Sequence, residues 1–84
     1  MRLRYFKDRI NRSEGLVATY GKTPESRGEY DAVIVHDTSP SKYALDGPIA
    51  KYTKTQIGAI SDFSEVLTEL RLRSMFGGGV MPID

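Results

Sequence analysis

Residues 30–36 read YDAVIVH, Tyr30 through His36. Ala32-Val33-Ile34-Val35 is a continuous apolar run with three β-branched residues, the composition of a strand with cover on both faces. The spacing therefore predicts a central strand. Asp37-Thr38-Ser39-Pro40-Ser41 ends it with turn chemistry. Upstream, Leu16-Val17-Ala18-Thr19-Tyr20 is rich in β-formers and reads as a second strand. The polar stretch Gly21–Gly28 separates the two, with Pro24 and Gly28 as breakers.

Two further segments extend the sheet. Leu3–Phe6 alternates as a strand would, with Leu3 and Tyr5 on one side and Arg4 and Phe6 on the other. Ile49–Ile57 (IAKYTKTQI) has no clean apolar side, so it is expected at an edge, where its lysines discourage unwanted pairing. The helix lies further on. Asp62 is placed to cap it, and Glu65 follows at the capping-box distance. Phe63, Val66, Leu67 and Leu70 then recur as one helical stripe. Gly77 closes the element, and Arg71 and Arg73 sit where the helix dipole favours cations.

These elements predict an α+β fold: a small antiparallel sheet of three to four strands with one C-terminal helix packed on a face. A small β-barrel plus helix is the alternative. Residues 1–76 form a single α+β domain on this reading, and 77–84 form a Gly-rich hinge and apolar tail.

Composition narrows the function classes. The 84 residues carry a net charge of +1, which provides no overall field toward a polyanion. Cysteine is absent and histidine occurs once, so thiolate and histidine metal sites lack ligands. No metal or other cofactor is expected. No apolar run approaches the roughly 18–20 residues that span a bilayer. The opening MRLRYFKDRINR is charged throughout and has no apolar core of a signal peptide. A cytoplasmic protein without membrane association is the expectation.

The chemistry-bearing candidates are sparse. His36 and Asp37 end the strongest strand, with Ser39 and Ser41 nearby, but neighbours on a strand point to opposite faces and are poorly placed to pair. Gly77-Gly78-Gly79 follows a helix, whereas phosphate-binding glycine loops precede one. No catalytic residue is assigned, and a non-enzymatic protein is expected.

The last helical turn departs from the Phe63 stripe. Leu72, Met75 and Phe76 point elsewhere, and the apolar residues Val80, Met81 and Ile83 follow. Together these six residues predict a surface that docks on a larger protein or mediates self-association, as in a small accessory, assembly or inhibitor protein of a virus or mobile element. The alternative is single-stranded nucleic-acid binding by a basic, aromatic sheet face made of Arg2, Arg4, Tyr5, Lys7, Arg9, Tyr43, Lys51 and Tyr52.

Overall fold

The structure is a computed structural model and describes residues 1–38 and 47–75. Its elements run α1 (Leu3–Asn11), β1 (Leu16–Gly21), β2 (Ala32–Asp37), β3 (Ala50–Thr53), α2 (Lys54–Gly58) and α3 (Phe63–Met75). The three strands form one antiparallel sheet in the order β1-β2-β3. The fold is α+β, as composition and periodicity predict, and the sheet is open. The barrel alternative is corrected: the three strands of the described residues do not close, and side chains take backbone groups at each outer edge, as described below.

Register assigns every strand residue to a face. Ala18 pairs with Val35 and Tyr20 with Val33. On the other side of β2, Val35 pairs with Ala50 and Val33 with Tyr52. These residues share the face that meets the helices, together with Leu16. Leu16, Ala18, Val33, Val35 and Ala50 are buried in one cluster with Phe6, Ile10, Ile57, Phe63, Val66 and Leu70.

Two segments differ from their sequence reading. Residues 3–6 belong to helix α1, not to a strand. Over four residues LRYF alternates, but over nine the apolar positions Leu3, Phe6 and Ile10 recur at helical spacing. Phe6 and Ile10 are fully buried. The Phe6 ring sits edge-on to Tyr52 at 5.1 Å and to Phe63 at 5.9 Å, which joins α1, β3 and α3 at the centre of the core.

The segment 49–57 likewise is not one strand. Thr53 ends β3 and starts α2 by a reciprocal capping box. Its side chain accepts from the Gln56 N–H at 3.2 Å, and the Gln56 carboxamide accepts from the Thr53 N–H at 2.8 Å. This turns the chain out of the sheet and buries Ile57.

The C-terminal helix forms where the stripe predicts it. Asp62 accepts from the Ser64 N–H at 3.0 Å and from the Ser64 hydroxyl at 2.6 Å. These bonds hold its carboxyl below the ordinary aspartate value. Phe63, Val66 and Leu70 are buried. The end of α3 is tied to all three strands. Arg71 donates to the Glu14 carbonyl before β1 at 2.8 Å, and Arg73 to the Ile49 carbonyl before β3 at 3.2 Å. The Ser74 hydroxyl donates to the Asp37 carboxylate at the end of β2.

Candidate functional site

Helix α3 carries apolar side chains on more than its core-facing side. Leu67 is half-buried and packs against the core, while Leu72 is half-buried without joining it. Met75 is 64% exposed. Leu67, Thr68, Arg71 and Leu72 line a shallow depression of about 260 Å³ along this flank. The guanidinium of Arg71 is fixed at its rim by the bond to the Glu14 carbonyl. The helix is held to the core by Phe63, Val66 and Leu70, which are buried. Phe76, Val80, Met81 and Ile83, also assigned to this surface by sequence, lie outside the described residues.

The basic and aromatic candidates do not share a sheet face. Arg2 precedes α1, and Arg4, Tyr5, Lys7 and Arg9 lie on it. Lys51 is on β3 and exposed. Tyr52 is half-buried on the opposite, core-facing side, and its hydroxyl is buried without a hydrogen-bond partner. Burial pushes the Tyr52 phenol above its ordinary value, with the nearby Glu69 carboxylate acting in the same direction. Tyr52 is thus a packing residue and not a stacking platform. Tyr43 lies outside the described residues. The sheet-face reading assumed that residues 2–9 form a strand, and the helix removes that geometry.

A different aromatic cluster appears that sequence spacing does not reveal. Tyr20 and Tyr30 stack with centroids 5.4 Å apart and rings 25° from parallel. The Lys7 ammonium lies 5.0 Å from the Tyr20 centroid and the Lys22 ammonium 5.2 Å from that of Tyr30. Tyr30 is 58% exposed. The loop from Gly21 to Tyr30 creates this meeting, so no pattern within one element signals it.

The strand-end residues His36 and Asp37 diverge as their alternation requires. Asp37 shares the core-facing side and accepts from Ser74. His36 pairs with Val17 on the other face. Ser39 and Ser41 lie outside the described residues. Among the described residues, no group of three or more His, Asp or Glu side chains is arranged to hold a metal ion. No helix among them is long and apolar enough to cross a membrane. Thr23, Glu25, Asp31, Thr53, Lys54 and Thr55 line a second depression, also about 260 Å³. Its carboxylate, Asp31, is already engaged by the Thr23 N–H at 2.7 Å and by the Thr23 hydroxyl.

Comparison with protein-family models, with curated proteins and with solved structures finds no match.

Proposed function

We propose that this is a small non-enzymatic interaction protein that docks on a larger protein through the free flank of α3. The observation that carries this reading is the contrast between Leu70 and its neighbours. Leu70 is fully buried, whereas Leu72 stays outside the core and Met75 is largely exposed on a helix already anchored at three strand ends. Leu72 and Met75 widen the apolar stripe of α3 beyond the side that meets the core.

Charge favours a partner of different sequence over a second copy. A two-fold interface repeats the same patch on both subunits and so carries the Arg71 charge twice, with no carboxylate among the residues lining the depression to offset it. A partner offering carboxylates beside an apolar ridge complements the flank instead. The test compares native affinity capture by wild type with that by the double variant Leu72→Glu, Met75→Glu. Capture of one defined partner that persists at high salt and disappears with the variant supports the reading. A partner retained by the variant defeats it.

A second reading, binding of single-stranded nucleic acid, draws support from the Lys7–Tyr20–Tyr30–Lys22 cluster and from the exposure of Arg2, Arg4 and Arg12. On that reading, affinity for an oligothymidylate falls steeply with salt and drops further with Tyr30→Ala.

A further inference from the structure

Lys7, Tyr20, Lys22 and Tyr30 come from helix α1, strand β1 and the loop after it, and they meet near the Gly21–Ala32 end of the sheet. Tyr20 packs against the core, whereas Tyr30 stands outside it and rests on the Tyr20 ring. Arg4 precedes Lys7 by one turn of α1 and is exposed, as is Lys22. Among the described residues, Arg4, Lys7 and Lys22 form no salt bridge. The Asp31 carboxylate beside Tyr30 in the chain is turned to Thr23, which donates to it twice. Glu29, on the other side of Tyr30, is exposed and opposes an anion.

We propose that this row selects the unpaired bases of a single nucleic-acid strand: one base stacks on Tyr30, and the adjoining phosphates lie on Lys22, Lys7 and Arg4. The assignment rests on the second reading above and gives it a site and a ligand class. The platform is assembled in advance. Tyr20 is held by the core and supports Tyr30, so little side-chain freedom is lost when a base stacks. The ring and ammonium spacings keep Lys7 and Lys22 within about 16 Å of each other, so one stretch of strand reaches both.

Chemistry narrows the ligand. A nucleotide unit carries a flat ring and a charge together, and the row offers a partner for each. An acidic protein surface would engage the cations and leave the ring of Tyr30 unused. A duplex has the charge, but its bases are stacked on one another and present no free face. Position separates this site from the α3 flank. Ser74 ties α3 to Asp37 at one end of the six-residue β2, and Gly21 pairs with Ala32 at the other, about 17 Å away. Variants at one site therefore leave the other in place.

The test titrates the full chain into a labelled oligothymidylate, an abasic strand of equal length and the oligothymidylate annealed to oligoadenylate, read by fluorescence anisotropy at low salt. The oligothymidylate binds at least about fivefold more tightly than the abasic strand. Tyr30→Ala removes that difference, Tyr30→Phe keeps it, and neither changes affinity for the duplex. Lys22→Gln flattens the salt dependence of oligothymidylate binding by about 0.7 in logarithmic slope, and Glu29→Gln tightens binding. Equal affinity for the abasic strand, or displacement by polyglutamate of equal charge, overturns the proposal in favour of charge alone. Binding that survives Tyr30→Ala and Lys22→Gln but is lost in Arg2→Gln, Arg12→Gln overturns this site and leaves the second reading standing. No binding of any strand overturns both.

Discussion

The Asn11 carboxamide does for Ala18 what a neighbouring strand would do. It donates to the Ala18 carbonyl at 3.1 Å and accepts from the Ala18 N–H at 2.8 Å. Both backbone groups point away from β2, so they form the free edge of the sheet. At the opposite edge, Gln56 takes the Thr53 N–H and Arg73 the Ile49 carbonyl. Side chains thus occupy backbone positions that would otherwise recruit another strand. This is why association by edge pairing is not the reading favoured above.

Replacing Asn11 with Ala removes both bonds at once. The expected cost is about 1–2 kcal/mol, measured by urea denaturation. The same change opens the β1 edge. Sedimentation should then show concentration-dependent association beyond that of wild type. A variant that is destabilised yet associates no more than wild type would mean that Asn11 stabilises the fold without guarding the edge.

Asp31 is expected to make stability depend on pH. The Thr23 hydroxyl bond, then the Thr23 N–H bond, hold its carboxyl below the ordinary aspartate value. A folded-state value below the unfolded one means that the ionised form contributes stability above about pH 4. That contribution is lost as pH falls through the lower folded value. Wild type should therefore exceed Asp31→Asn in stability at neutral pH. The gap should close on acidification, as followed by denaturation midpoints from pH 7 downward. A gap that does not change with pH would mean that the carboxylate charge contributes nothing.

The parts of the fold that were legible in sequence are those set by one local pattern. β1 and β2 show as β-branched runs, and the Phe63–Leu70 stripe gives α3. Helix α1 was obscured because its alternation over Leu3–Phe6 competes with the wider Leu3, Phe6, Ile10 spacing. Only packing against Tyr52 and Phe63 decides between them. The Thr53–Gln56 capping box was readable as Thr-x-x-Gln, and it divides a segment that composition alone leaves continuous. Arg71 and Arg73 look in sequence like generic helix-end cations. Their carbonyl partners at Glu14 and Ile49 are distant in sequence, which no local pattern encodes. The Tyr20–Tyr30 stack is hidden for the same reason.

Leu70 and Leu72 test whether folding and the proposed docking separate on a single helix. Leu70 is fully buried among β-strand and helix side chains, so Leu70→Ala leaves a cavity and should cost about 2–5 kcal/mol. Leu72 lines the surface depression and makes no core contact, so Leu72→Ala should cost less than about 1 kcal/mol. Both values come from denaturation curves whose slopes remain equal to that of wild type. Partner capture should show the reverse order at a temperature where both variants are folded, with Leu72→Ala impaired and Leu70→Ala retained. If Leu72→Ala unfolds the chain as readily as Leu70→Ala, Leu72 serves the core, and the free flank of α3 shrinks to Met75 and the edge of Leu67, too little apolar surface to hold a partner.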